Sequence, residues 1–146
     1  PIWSEVEVAC RVTDADMIGI TGTNGKTTTT TLVGEIMKAT GRQTVVGGNI
    51  GYGLSAQADN LPKEAVVVAE LSSFQLETTH SLSADAATVL NISEDHLDRY
   101  DGMAGYLAAK QRIEKLIASG VEQGAEVFTQ YMTGSATSWD NYGMVY

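Results

Sequence analysis

The stretch that most restricts the fold is GITGTNGKTTTT, residues 19–30, where a glycine-rich turn lies between an apolar run and a helix-like run. Such a turn presents backbone N–H groups and the positive end of the helix dipole to a phosphate. In this interpretation Lys26 reaches the outer phosphates of a nucleotide, and the Thr27 hydroxyl binds the magnesium ion that bridges them. The residues predicted to contact the nucleotide are Gly22, Thr23, Asn24, Gly25, Lys26, Thr27 and Thr28.

One departure from the phosphate-loop pattern leaves an alternative open. The strict pattern has a glycine five residues before Gly25, where this chain has Ile20. A glycine-rich turn that merely resembles a phosphate loop is therefore the alternative to nucleotide binding.

Around this turn, short β-rich runs alternate with helix-like runs. The β-rich runs are almost continuously apolar, which is typical of parallel strands that are covered on both faces. The sequence thus predicts an α/β fold, a mostly parallel sheet with helices on both faces, as in P-loop NTPases. Strands are predicted at 17–21, 43–47, 64–71 and 86–92, helices at 26–41 and 103–119, and an extended entry at PIWSEVEVACRV.

Composition excludes several classes of function. The 146 residues include 18 Asp and Glu but 9 Lys and Arg, and the net charge of -9 argues against a general nucleic-acid surface. No apolar run approaches the roughly 20 residues that span a bilayer, so no membrane partner is expected. Cys10 is the only cysteine, so an intrachain disulfide is impossible. We therefore expect a soluble, cytoplasmic protein.

A second candidate site follows the apolar run at 64–71. Glu70 closes that predicted strand, and the carboxyl ends of parallel strands face the crevice where such sheets bind ligands. Glu70 could hold magnesium directly or through water. A capping or salt-bridged glutamate is the alternative, and Ser72 and Ser73 could equally cap a helix.

A third candidate site is NISEDHLDRY, residues 91–100, at the end of another apolar run. It brings together Glu94, Asp95, His96 and Asp98. A neutral imidazole among carboxylates suits a divalent metal. The alternative is a surface turn rich in capping acids.

Lys110 is a candidate because helical spacing places it on the apolar face of the last predicted helix. It shares a stripe with Tyr106, Ile113 and Ile117. One interpretation is a lysine whose ammonium snorkels to solvent. In the other, burial favours the neutral amine, which can react with carbon dioxide to form a carbamate, an anionic oxygen ligand near magnesium.

Together these motifs resemble the central ATPase domain of the Mur ligases. The matching stretches, in the family's order and spacing, are GTNGKT, GGNIG, ELSSFQLETT, EDHLDRY and YLAAKQRI. Within the family, SSFQLE is typical of the branch that adds D-glutamate, since the next ligase usually has a histidine at the position of Phe74. The resemblance runs from Pro1 to about Ile117.

The resemblance implies ATP-dependent amide formation in peptidoglycan synthesis. The carboxylate of UDP-N-acetylmuramoyl-L-alanine would attack the γ-phosphate of ATP, and D-glutamate would capture the resulting acyl phosphate. By position, Lys26 and Thr27 would bind the phosphates and a first magnesium ion, with Glu70 as a second ligand. His96 and a carbamylated Lys110 would serve a second magnesium ion.

The resemblance also marks two residues that would contact the muramoyl substrate, Asn49 in GGNIG and Ser72. From the resemblance we assign the catalytic roles to Lys26, His96 and Lys110, and the substrate contacts to Asn49 and Ser72.

The chain departs from the family in extent. Mur ligases have three domains, so we expect this chain to be a truncated part of the central one and to be inactive alone. Residues 118–146 contain no Lys or Arg and lack an expected strand with an asparagine-aspartate turn, so we divide the chain into a domain at 1–117 and an atypical tail. Exposed sheet edges could support self-association. The alternative function is a nucleotide-binding or structural module without ligase activity.

Overall fold

The computed structural model describes residues 2–93, 100, 102–118 and 126–129. Its helices are α1 (Glu5–Val12), α2 (Lys26–Ala39), α3 (Leu54–Ala58), α4 (Ser73–Glu77) and α5 (Gly102–Ala118). Its strands are β1 (Asp16–Thr21), β2 (Thr44–Gly48), β3 (Val66–Glu70), β4 (Ala86–Val89) and β5 (Glu126–Thr129).

The described strands form one parallel sheet in the order β2-β3-β1-β4-β5. β1 lies in the middle, where Ile18 pairs with Val68 of β3 and with Ala86 of β4. After β1 the chain adds β2 and β3 on one side of it and then β4 and β5 on the other. The strand order therefore reverses direction at β1, and parallel sheets bind ligands in the crevice beyond the carboxyl ends of the strands at such a point.

Helices cover both faces of the sheet, because alternate strand residues point to opposite sides. In β3, Val67 and Ala69 belong to the larger core, which includes residues of α1, α3, α4 and α5. Val66 and Val68 belong to a smaller core with Val33 of α2. All five residues of β3 are buried. The predicted α/β fold with a parallel sheet between helices is confirmed.

The helix α2 lies close to β2 because it carries Gly34 at the point of contact. A Cβ atom added there would collide with the Cγ2 methyl of Val46. The lack of a side chain therefore sets how closely this helix approaches the sheet.

The expectation of an extended amino-terminal stretch is wrong, because that stretch forms α1. The Ser4 side chain caps the helix by accepting a hydrogen bond from the Glu7 backbone N–H at 3.0 Å. Val6 and Ala9, three residues apart, are fully buried against the larger core, while Val8 is 39% exposed. The burial period is thus helical, and the apparent alternation of Val6 and Val8 is misleading.

The remaining differences concern short elements. The one-turn helices α3 and α4 were not predicted. β4 ends at Val89, before the end of the predicted strand at 86–92, and the next two residues, Leu90 and Asn91, bond to Thr21 and Thr23. Within the tail, the structure describes one strand, β5, which pairs with β4, and the expectation that the tail lacks a strand with an asparagine-aspartate turn stays a prediction. The domain boundary after residue 117 stays a prediction.

Within the described residues, no helix is both long and apolar enough to cross a membrane.

Candidate phosphate and metal site

The glycine-rich turn lies where the sequence places it, between the end of β1 and the start of α2. β1 ends at Thr21, and α2 begins at Lys26 with Gly25 as its N-cap. The first N–H groups of a helix have no acceptor within the helix. Together with the dipole of this 14-residue helix, they make the turn a suitable anion site.

Lys26 lies over the turn rather than pointing into solvent. Its Nζ donates a hydrogen bond to the Thr23 carbonyl oxygen at 2.9 Å, and the side chain is half-buried. This contact keeps the ammonium group at the mouth of the loop, within reach of a phosphate that binds there.

The structure brings Thr27, Glu70 and Asn49 together, although they come from three separate parts of the chain. The Thr27 hydroxyl donates to Glu70 Oε2 at 3.0 Å, and Asn49 Nδ2 donates to Oε1 at 3.0 Å. Glu70 is only 1% exposed. Each oxygen of this buried carboxylate thus has a hydrogen-bond donor, as is usual for buried polar groups.

Gly48 allows Asn49 to reach this position. Its φ of 101° lies in the left-handed region, and a Cβ atom there would collide with the Glu70 carbonyl oxygen. The same carbonyl accepts a hydrogen bond from the Asn49 backbone N–H at 2.9 Å. The end of β2 and the end of β3 are therefore locked together beside the carboxylate.

The donor set at this point fits a magnesium ion. Thr27 offers a hydroxyl oxygen and Glu70 a carboxylate oxygen, and Mg²⁺ prefers such hard oxygen ligands. In the part of the chain that the structure describes, no three His, Cys, Asp or Glu side chains form a metal-binding group. Such a site would therefore be completed by water and phosphate oxygens, which is usual for Mg²⁺.

Lys110 is buried, so the alternative of a snorkelling side chain is wrong. It is 2% exposed, and its Nζ donates to the Thr21 hydroxyl at 3.2 Å. Thr21 in turn donates to the Leu71 carbonyl oxygen at 2.7 Å. The ammonium group also lies 5.2 Å from the ring centroid of Tyr106. Lys110 therefore lies at the same edge of the sheet as the loop. Of the other residues on its predicted stripe, Tyr106 and Ile113 are also buried, and the side chain of Ile117 lies outside the described part.

Two other predicted residues have different outcomes. His96 and the acids around it lie in the stretch 94–99, outside the described residues, so their metal role stays a prediction. Ser72 is the N-cap of α4 and forms a capping box with Gln75, whose backbone N–H donates to Ser72 Oγ at 3.2 Å. This confirms that Ser72 caps a helix, while its predicted contact with a substrate is not tested.

Sequence reasoning missed Thr21 and Asn91. Thr21 holds Lys110, and the Asn91 side chain bonds to the backbone of Asn24 in the loop. Both are polar residues at the end of an apolar run, which is the signal that could have identified them.

Comparison with known proteins identifies the family to which the chain is similar. The model of the Mur ligase middle domain matches residues 20–128. A protein of Desulfitobacterium hafniense named UDP-N-acetylmuramoylalanine--D-glutamate ligase is 57% identical over 112 residues, which cover 77% of this chain and 25% of the relative. A protein of the same name from Methylobacillus flagellatus is 47% identical over 146 residues, which cover 99% of this chain and 32% of the relative.

Solved structures show the same fold. A crystal structure of MurF from Acinetobacter baumannii has a TM-score of 0.58 at 20% identity and covers 86% of this chain and 34% of that one. This chain spans about a quarter to a third of the length of the curated relatives it matches. The family model covers well over half of the chain, and the expected resemblance is confirmed: this chain belongs to the Mur ligase family.

Proposed function

We propose that this chain is the nucleotide-binding part of a ligase that uses ATP and Mg²⁺ to join D-glutamate to UDP-N-acetylmuramoyl-L-alanine in cytoplasmic peptidoglycan synthesis. The observation that carries the proposal is the Thr27 hydroxyl 3.0 Å from the Glu70 carboxylate, directly after the loop that holds Lys26. The names of the curated relatives support the choice of substrates. We expect this activity from the full-length ligase rather than from this chain alone.

In the first step the chain positions the phosphates of ATP. The N–H groups at the start of α2 bind the phosphate oxygens, and Lys26 exchanges its bond to Thr23 for one to the outer phosphates. A carboxylate oxygen of the substrate then forms a bond to the γ-phosphorus, while the bond to the leaving ADP breaks. Phosphoryl transfer needs little covalent help from the protein, so positioning and charge neutralisation are the contribution of these residues.

Magnesium would add further charge neutralisation on the β- and γ-phosphates when bound. Thr27 and Glu70 would hold it, and Asn49 would keep the Glu70 carboxylate in place through its hydrogen bond to Oε1. Asn49 and Ser72, at neighbouring strand ends, would lie toward the muramoyl substrate.

In the second step the amine of D-glutamate attacks the acyl carbon, phosphate leaves, and the nitrogen loses a proton. We place Lys110 and His96 near this acyl phosphate. The position of Lys110, buried at the edge of the sheet beside the loop, supports the proposal, because an amine there that adds carbon dioxide and loses a proton becomes an anionic carbamate. Such a carbamate would supply an oxygen ligand to a second magnesium ion.

The nucleotide part of the proposal is tested by calorimetric titration of this chain with Mg²⁺ and a non-hydrolysable ATP analogue. We expect Lys26→Ala to weaken binding by about a hundredfold, since a charge-assisted contact to phosphate is lost. Lys38→Ala is the matched control, because Lys38 lies on the same helix and bonds to Glu35 at the surface. Equal affinity of wild type and Lys26→Ala, with both chains folded by circular dichroism, would contradict the assignment.

The substrate part is tested in a chimera of the Methylobacillus flagellatus ligase, in which this chain replaces the aligned segment. We expect ADP release that requires both UDP-N-acetylmuramoyl-L-alanine and D-glutamate, and that Lys26→Ala abolishes. Release with a different amino acid in place of D-glutamate would refute the substrate assignment. Nucleotide binding without ligation in a folded chimera would instead favour a binding module.

A further inference from the structure

The side chain of Asn91, just after β4, is bonded to the phosphate loop on both of its polar atoms. The Asn24 backbone N–H donates to Asn91 Oδ1 at 2.8 Å, and Asn91 Nδ2 donates to the Asn24 carbonyl oxygen at 2.8 Å. Only one orientation of the side-chain amide satisfies both partners, because an N–H needs an acceptor and a carbonyl needs a donor. The pair therefore fixes Asn24 in the manner of a short strand pairing.

Backbone contacts extend this attachment to the neighbouring residue. The Thr23 N–H donates to the Asn91 carbonyl oxygen at 3.0 Å, and the Ser93 N–H donates to the Thr23 hydroxyl at 3.1 Å. The Thr23 hydroxyl is also 3.1 Å from the hydroxyl of Tyr106 in α5. Thr23 and Asn24 are thus held against β4 and α5, on the side of the loop away from β3.

These contacts determine which N–H groups of the loop are left for a ligand. The N–H groups of Thr23 and Asn24 already have acceptors in Asn91. We therefore expect phosphate to be bound by the groups from Gly25 onward, at the start of α2. A loop that is already held in this shape loses less conformational entropy when the phosphate binds.

We propose that Asn91 is a positioning residue, which holds the loop at 22–25 in the shape that presents the start of α2 to phosphate. Asn91 does this through the backbone of Asn24 and touches no reacting atom. The proposal rests on the proposed function for its link to nucleotide, but the state of the loop can be measured without any ligand.

The first measurement is amide hydrogen exchange, resolved by residue with NMR, on the full ligand-free chain. We expect Asn91→Ala to speed exchange at Asn24 by about tenfold and at Thr23 by less, since Thr23 bonds to the Asn91 backbone. Exchange at Val67 in the core of β3 should not change, which separates loop opening from general destabilisation. Ser93→Ala is the control: it removes the 3.4 Å bond from the Asn24 side chain to Ser93 Oγ, but it keeps the Ser93 backbone contact with Thr23 and both bonds between Asn91 and the Asn24 backbone.

The second measurement is the titration with Mg²⁺ and the ATP analogue. We expect Asn91→Ala to weaken binding by about tenfold and Ser93→Ala by less than about twofold. Unchanged exchange at Asn24, or equal affinity for Asn91→Ala and a wild-type chain that binds, would overturn the proposal. If the wild-type chain does not bind the analogue, the proposed function fails, while the exchange data still decide whether Asn91 holds the loop.

A milder variant covers the case in which Asn91→Ala does not fold. Asn91→Asp keeps an oxygen for the Asn24 N–H but cannot donate to the Asn24 carbonyl. We expect its exchange rate at Asn24 to lie between those of wild type and Asn91→Ala. A rate equal to that of wild type would count against the proposal.

Discussion

At the scale of single residues, Glu70 connects the two sides of the candidate site. One carboxylate oxygen accepts from Thr27 on α2 and the other from Asn49 after β2. Both donors are neutral groups, so the carboxylate is the member of this trio that can offer a charge to a cation. A substitution that keeps the shape of the Glu70 side chain but removes its charge therefore tests metal binding without changing the packing.

We predict that Glu70→Gln reduces the effect of Mg²⁺ on nucleotide affinity by roughly tenfold, with little change in affinity for the metal-free analogue. The amide keeps the volume of the side chain but supplies no charge. The measurement is a titration of the analogue across a series of Mg²⁺ concentrations. Glu35→Gln is the control, since Glu35 lies exposed on α2, where it forms a salt bridge with Lys38. An identical Mg²⁺ dependence in Glu70→Gln and wild type would exclude Glu70 as a ligand.

At the scale of elements, the packing of α2 on β2 depends on one missing side chain. Alanine is a better helix former than glycine by about 1 kcal/mol, so propensity alone predicts that Gly34→Ala stabilises α2. The new Cβ atom would, however, collide with Val46, whose branched side chain has little freedom to move.

We therefore predict that Gly34→Ala lowers the free energy of unfolding by about 1–3 kcal/mol, because overpacking outweighs helix propensity. Urea denaturation measures the change. The double variant Gly34→Ala with Val46→Ala removes the collision and should be more stable than the sum of the two single changes predicts. Additive effects in the double variant would show that the contact does not limit the packing.

The fold was predictable from the sequence where one pattern decided the structure alone. Nearly continuous apolar runs identified β1 and β3, which are covered on both faces. The pattern failed for α1, because an eight-residue stretch is too short to distinguish the alternation of a strand from the spacing of a helix. The N-cap at Ser4 was the signal that indicated a helix. It also failed for α3 and α4, each five residues long, since one turn is too short to show a period.

The candidate site was predictable only in its parts. The sequence predicted the positions of Lys26, Thr27 and Glu70, because each lies at the start of a helix or at the end of a strand. The roles of Thr21 and Asn91 could not, because they depend on how β4 and α5 pack beside the loop, which is a property of tertiary contacts. Local sequence carries little information about such pairs.

At the scale of the whole molecule, Glu7 attaches α1 to the segment that precedes β4. This buried carboxylate accepts from the backbone N–H groups of His80 at 2.6 Å and Ser81 at 2.8 Å, and from the Ser81 hydroxyl at 2.7 Å. Arg11 donates a further bond at 2.7 Å. Burial alone would raise the pKa of Glu7, but these hydrogen bonds outweigh burial and lower the pKa from 4.5 to about 2.

The sign of the resulting pH dependence follows from the proton counts. Between pH 4.5 and about 2 the unfolded chain is protonated at Glu7 while the folded chain is not, so the unfolded state binds more protons. The stabilisation from Glu7 is therefore complete above pH 4.5 and is lost as the pH falls through this window. Its full size is about 3 kcal/mol.

We predict that Glu7→Gln lowers the free energy of unfolding by about 3 kcal/mol at pH 7, and that the difference from wild type shrinks as the pH falls from 4.5 toward 2. An amide cannot accept all of these bonds, and its NH₂ group opposes the N–H donors of His80 and Ser81. Urea denaturation at a series of pH values measures the difference, with the exposed Glu64→Gln as the control. A difference that stays constant across this window would show that Glu7 does not link α1 to the rest of the molecule through its charge.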